Sequence, residues 1–305
     1  MKTTTRTWIG GGNNQAANPN DWADPNGQPG VPRRGDSLIM NGGTINIRDN
    51  DLKGDTLTVG FSLSGQIPPV INLTNANAKL QGSSALPGVR FTLNVGGNDT
   101  LTMVDPTNSG VLVSPTINLA DNAHLLMKGE MHFAGGYDIN GAPGSEIINK
   151  GTIVAGRVTA PHSINTDIAG HGTIEINPAT TGPSFYTING AVGRGQILEL
   201  ASTPLYPPTV DIKQPDAFRG LIDVPAPSGP PFFLKGSFVL EGVTATSYSV
   251  KGDRLSLFDG HKNVDTVRLR NPTDQPLSVG QSGSNIVLAI NEPAPGNILP
   301  MHGFV

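Results

Sequence analysis

Apolar residues along this chain recur at every second position in short runs, with polar and turn-forming residues between the runs. Over residues 116–176 the runs read TINL, HLLMK, MHF, EIIN, GTIVA and GTIEI. A period of two puts apolar side chains on one face of a strand and polar ones on the other. Gly, Asn, Asp and Pro separate the runs, and they bend the chain cheaply through positive φ, side-chain turns or a fixed φ. No stretch keeps the three-to-four-residue apolar spacing for the roughly ten positions a helix needs. Strand and turn alternating without helices predicts an all-β chain that winds on itself as a β-solenoid, a parallel β-helix of right-handed sense.

The pattern extends to both sides. Across residues 37–224 further strand candidates read SLIM, GTINI, TLTVG, VINL, AKLQG, FTLNV and TLTMV, then QILEL, TVDI and GLIDV. Their spacing is irregular, so no repeat of about 20–30 residues emerges. Asparagine punctuates the apolar pairs at Asn46, Asn72, Asn94, Asn118, Asn149 and Asn177. Two readings stay open: amides that stack coil on coil along the axis, or residues that tolerate left-handed turns. After a Pro/Gly-rich link at 225–231, SYSV and RLSLF flank Lys251-Gly252-Asp253, and VDTVRL returns after Asp259-Gly260, which predicts β-hairpins. The expected organisation is a capping segment at 1–36, a solenoid at 37–224, a β-hairpin region packed on it at 225–291, and a flexible Pro-rich tail at 292–305.

The two ends carry a family resemblance. Residues 7–40 hold Trp8, Gly10, Asn20, Trp22, Gly30, Pro32, Gly35 and Asp36, leading into Leu38 and Ile39. This spacing resembles the opening motif of bacterial secreted, autotransporter-like β-helix repeat proteins. Phe218, Gly220 and Ile222 match the Phe-x-Gly-x-Ile signature that closes the coil region in those proteins, and the segment after it resembles their C-terminal part. The resemblance covers the ends and implies a structural context, not an activity. Two Trp rings on a polar loop also suit a cap, because an open solenoid end exposes unpaired backbone groups.

Composition sharpens this picture. The chain has 305 residues with 39 Gly and 26 Pro, 36% hydrophobic and 5% aromatic content. A thin column of small aliphatic residues fits these values better than a compact core does, and the patterned apolar positions argue against disorder. A net charge of −4 with scattered Lys and Arg excludes the basic stripe that nucleic acid requires. No apolar run approaches the ~20 residues of a membrane span, and MKTTTRTWIGGG has no apolar core of a signal peptide. Without cysteine there are no disulfides, thiolate metal sites or Cys nucleophiles.

Candidate chemistry is sparse. The carboxylates Asp121, Glu130, Asp138, Glu146, Asp167, Glu175, Glu199 and Asp211 stand apart in sequence, whereas polysaccharide cleavage requires convergent acids. Residues 49–55, DNDLKGD, imitate a calcium loop, but Lys53 occupies a ligand position and Gly60 replaces the bidentate Glu. The histidines at 124, 132, 162, 171, 261 and 302 form no HExxH, and surface or turn placement is expected for all six. Ser184 has no nucleophile elbow, and Gly190, Gly193 and Gly195 lack the strand–helix setting of a phosphate loop. Arg34-Gly35-Asp36 spells an integrin tripeptide whose Gly and Asp already belong to the capping motif. Asn72 and Asn98 are glycosylation acceptors by pattern only. No catalytic, cofactor-binding or metal-binding residue is assigned, and no cofactor.

The expectation is a non-enzymatic structural protein of the bacterial cell surface or extracellular matrix, adhesive or self-assembling into a filament or layer. Self-association would run head to tail or by strand addition through residues 1–9 or 292–305, with polysaccharide as a further candidate partner. The alternative is a carbohydrate-binding or carbohydrate-cleaving β-helix, which would show clustered acids or a line of aromatics along one face.

Overall fold

The computed structural model describes residues 4–10, 13–59, 69–82, 92–104, 111–112, 115–133, 135–155, 160–177, 182–201, 206–225, 235–271 and 275–301. Residues 1–3, most of the 225–231 link and residues 302–305 of the tail lie outside them. The fold is a parallel β-helix with a C-terminal β-hairpin region. Among the described residues the helical segments are the short 3-10 turns Pro19–Asp21 and Pro215–Ala217. The chain divides into two compact units, Met1–Thr152 and Ile153–Val305.

In the first unit, strands Thr44–Arg48, Val70–Thr74, Thr92–Val95, Thr116–Leu119 and Tyr137–Gly141 lie parallel and in register. Their alternation turns Ile45, Ile71, Leu93, Ile117 and Ile139 inward as one fully buried column. Each such side chain contributes roughly 1.5–3 kcal/mol. A second stack runs through Ser37–Met40, Thr56–Val59, Asn77–Gly82, Thr100–Val104, His124–Lys128 and Glu146–Asn149. Its interior column is Leu38, Leu57, Leu80, Met103 and Met127, ending on Asn149.

The asparagines divide by position: of the six singled out in the sequence, Asn46, Asn72, Asn94 and Asn118 stack, and the left-handed turns are taken by other asparagines. Asn46, Asn72, Asn94, Asn118 and Asn140 sit mid-strand on the outer face. From Asn72 on, each Nδ2 donates to the Oδ1 of the preceding coil, at 2.8, 2.7, 2.8 and 3.2 Å. Asn75, Asn98 and Asn122 take the corner two residues before a strand, with φ of 53°, 61° and 56°, and Gly144 replaces them one coil on with φ of 76°. Asparagine visits this left-handed region at lower cost than other side chains. Asn149 and Asn177 belong to neither group and are buried at strand ends. The ladder partners are 26, 22, 24 and 22 residues apart. Register is therefore constant while coil length varies, which hid the repeat from the sequence.

The N-terminal residues join this stack. Thr5–Trp8 adds parallel to Ser37–Met40 and antiparallel to Trp22–Ala23, and Gln15 bridges to Asn46. Trp22 is fully buried, edge-on to Trp8 at 5.2 Å, with its Nε1 donating to the Ala16 carbonyl at 2.8 Å. Asp36 accepts from Arg6 Nε at 2.9 Å and from the Thr4 and Arg33 N–H groups, pinning the segment to its turn.

In the second unit, His162–Asn165, Phe185–Ile188, Thr209–Ile212 and Gly236–Leu240 form one parallel stack. Thr173–Ile176, Ile197–Leu200 and Leu221–Asp223 form another. The third face is reduced to single bridges through Ile168, Val192 and Phe218. The coil series runs to Leu240, beyond the boundary expected at 224. Pairing then turns antiparallel: Gly236–Leu240 meets Asn285–Ile290, and Lys262–Arg270 meets Arg254–Asp259. The hairpins fall where the turns at Gly252 and Gly260 predict. Over its described residues, the tail expected to be flexible is paired. Asn297–Ile298 pairs with Leu277–Ser282, the Leu299 N–H donates to the Val279 carbonyl at 2.8 Å, and Ala294 and Leu299 are buried.

Candidate functional site

The parallel register of the second unit assembles a row of acids. Thr173–Ile176, Ile197–Leu200 and Leu221–Asp223 turn Ile174, Leu198 and Ile222 inward, so Glu175, Glu199 and Asp223 fall on the opposite face as direct neighbours. Adjacent strands lie about 4.7–4.9 Å apart. Arg270 occupies the next position. Its Nε donates to Asp223 Oδ1 at 2.8 Å and its Nη2 to Oδ2, a two-point fork that fixes a buried carboxylate. Hydrogen bonding to Asp223, and then its charge, raises the Arg270 pKa. Glu175 Oε1 accepts from Asn177 Nδ2 at 3.0 Å.

Glu199 stands between these two. Burial, then the Asp223 charge, then the Glu175 charge push its pKa above the ordinary carboxyl range, and Arg270 opposes them. The row thus sets a carboxyl of raised pKa beside a carboxylate locked in an ion pair. Sequence reading placed Glu175 and Glu199 apart and left Asp223 out. The signal was the common place of the acid in TIEI, ILEL and LID, which becomes legible once the coils are in register.

Four of the other acids serve separate local contacts. Glu130 approaches His132 at 2.5 Å and Glu146 approaches His124 at 3.5 Å. Asp167 accepts from the Ala191 N–H, and Asp211 lies 3.8 Å from Lys213. Among the described residues no three His, Asp or Glu side chains converge as a metal site would require.

His162 corrects the expectation of surface histidines. It is buried in the interior column directly over Tyr186, with the rings stacked at 4.5 Å. The Tyr186 hydroxyl donates to the Asn177 carbonyl and accepts from the Asn177 N–H, and Ser184 Oγ donates to the same carbonyl. Ser184 is therefore a buried structural hydroxyl. Gly190 lies so close to the Thr166 carbonyl that any Cβ would overlap it, which makes it a coil contact. In residues 49–55, Asp51 accepts from the Arg48 N–H and both oxygens of Asp55 accept from the Gly35 N–H, so these carboxylates bind turns of the chain. Asp36 of the integrin-like tripeptide is half-buried and held by Arg6.

A cleft of about 590 Å³ opens beside Lys213, Asp216, Glu241 and Thr244. Lys213 Nζ closes onto Glu241 at 3.1 Å, so the cleft satisfies its own cation. Among the described residues the exposed large aromatics are Phe185 and Tyr206, with no line of rings along a face. Comparison with protein families, curated proteins and solved structures finds nothing that matches this chain.

Proposed function

We propose that the chain is a non-enzymatic structural module of the bacterial cell surface or extracellular matrix. The observation that carries this reading is the asparagine ladder on the outer face. Positions that a ligand-handling surface would leave free instead tie coil to coil along the stack, from Asn46 to Asn140. Such ties resist separation of the coils, the load that a stalk or matrix strut carries. The end motifs around Trp8–Asp36 and Phe218–Ile222, with their resemblance to secreted β-helix proteins, support the same setting. Thr5–Trp8 and Asn297–Ile298 are paired within their own chain, which favours a capped strut over one that grows through residues 1–9 or 292–305. The test is immunogold labelling of producing cells, together with a deletion strain assayed for matrix cohesion. Label confined to the cytosol, or unchanged cohesion, would sink the reading.

The acid row favours a second reading, carbohydrate cleavage. Residues paired across adjacent strands bring Glu175, Glu199 and Asp223 side by side, as the paired acids of glycosidases are, and the Glu199 pKa is shifted upward, the direction a general acid needs. Against it, Asp223 is held at two points by Arg270 and cannot swing toward a substrate. A screen of acidic and neutral polysaccharides for new reducing ends decides between the two. Turnover abolished by Glu199→Gln would establish the enzyme.

A further inference from the structure

In the first unit, Arg33, Arg34 and Lys53 line one cleft of about 620 Å³, together with Val31, Pro32 and Asp55. Its size falls in the range of small-ligand sites, about 300–1,000 Å³. Of the nearby acids, Asp36 pairs with Arg6, Asp51 accepts from the Arg48 N–H, and Asp55 lines the cleft with both oxygens on the Gly35 N–H, so three cations face one lining carboxylate. Asp49 is outside the lining. The ion pairs among the described residues leave Arg33, Arg34 and Lys53 without a carboxylate partner. A locally cationic cleft therefore stands on a chain whose net charge is −4.

The backbone adds an independent observation. Lys53 has φ of 54°, followed by Gly54 at 80°. Elsewhere among the described residues such corners hold Asn, Asp or Gly, as at Asp49, Asn75, Asn98, Asn122 and Gly144, the residue types that enter this region at least cost. A lysine held there costs on the order of 1–2 kcal/mol. Strain of this kind at a cleft wall, on a residue that contributes charge, points to a ligand.

We propose that this cleft binds an acidic sugar unit of an anionic polysaccharide. The planar guanidinium groups of Arg33 and Arg34 suit fork-like contacts to a carboxylate or sulfate, and Lys53 adds a compact third charge. Val31, 39% exposed, offers an apolar surface for the C–H face of a sugar ring. The cationic area is confined to these side chains, too short for the stripe that a nucleic-acid backbone requires. The inference goes beyond the structural role proposed above and does not depend on it.

The experiment uses the full chain and titration calorimetry at low salt. The probes are oligogalacturonate for carboxylate, dextran sulfate for sulfate, plain dextran as the uncharged control, and duplex DNA. The wild type is expected to bind at least one acidic saccharide but not dextran, with affinity falling as salt rises. The double variant Arg33→Gln/Arg34→Gln should lose at least about tenfold, as expected when two charge-assisted hydrogen bonds are removed. Lys53→Gly suits the same φ, so it should weaken binding several-fold while keeping or raising the melting temperature. Preference for galacturonate identifies carboxylate as the ligand group, and preference for dextran sulfate identifies sulfate. Binding to neither acidic polymer, unchanged binding by the double variant, or DNA bound as tightly as the saccharides would each overturn the proposal.

Discussion

Replacing Asn94 by alanine should remove two rungs of the outer ladder. The rungs are Asn94 Nδ2 to Asn72 Oδ1 at 2.7 Å and Asn118 Nδ2 to Asn94 Oδ1 at 2.8 Å. A net hydrogen bond is worth about 0.5–1.5 kcal/mol. These amides are half-buried, so water replaces part of what is lost and the lower half of that range applies. The expected cost of Asn94→Ala is therefore about 1–2 kcal/mol. Asn118→Ala should cost a similar amount, since it breaks the shared rung and the one to Asn140 at 3.2 Å. The double variant loses the shared rung only once, so the single costs should exceed the double by about 0.5–1 kcal/mol. Asn46 and Asn118 share no rung, and their costs should add. Urea unfolding followed by circular dichroism supplies the numbers, provided the slopes agree and different probes coincide, because solenoids can unfold piecewise. Strict additivity of Asn94→Ala with Asn118→Ala, or a cost below about 0.3 kcal/mol for Asn94→Ala, would show that the ladder contributes no stability.

Three further outcomes are expected. Ile174→Asp removes a side chain that is 2% exposed and buries a carboxylate in its place, so the melting temperature should fall by roughly 10 °C or more; an unchanged melt would place Ile174 outside the core. Glu199 has a folded-state pKa above its unfolded value, so the folded state binds more protons and stability declines as pH rises from the ordinary Glu range through the folded pKa. Glu199→Gln removes that decline, and its advantage over the wild type should grow across the same window in urea melts; a shrinking advantage would contradict the assignment. Gly190→Ala forces a Cβ into the Thr166 carbonyl and should cost about 1–3 kcal/mol in the same assay, with a neutral effect showing that the two coils are not in contact there.

Local alternation was enough to read strands and turns, because a period of two reflects each residue's own face. The path of the coils was not legible, since register between strands depends on connections whose lengths vary. Asn46, Asn72, Asn94 and Asn118 were visible because each follows an apolar residue within a short strand. Asn140 was missed in YDING, while Asn149 and Asn177 were grouped with them although they end strands and are buried. His162 resembled a surface histidine beside Pro161 and Ser163, yet the strand register sets it over Tyr186. The acid row was hidden for the same reason, as Glu175, Glu199 and Asp223 become neighbours only through the pairing of distant strands. The tail's prolines suggested freedom, but its backbone pairs with Leu277–Ser282 through Asn297 and Ile298.

The ladder also bears on how the protein ages. An asparagine followed by glycine deamidates when the next backbone nitrogen swings onto the side-chain carbonyl and closes a succinimide. Asn140-Gly141 and Asn189-Gly190 both have this sequence, yet their amides are tied to Asn118 and Asn165 of the neighbouring coil. Asn26-Gly27 lies in an exposed turn, with Gly27 at φ of 77°, and Asn41 of Asn41-Gly42 is exposed as well. Bonds that hold one coil to the next therefore also shield these side chains from slow chemical decay. Where a molecule must persist without resynthesis, the first new negative charge should arise at Asn26 or Asn41, and the stacked amides should outlast it.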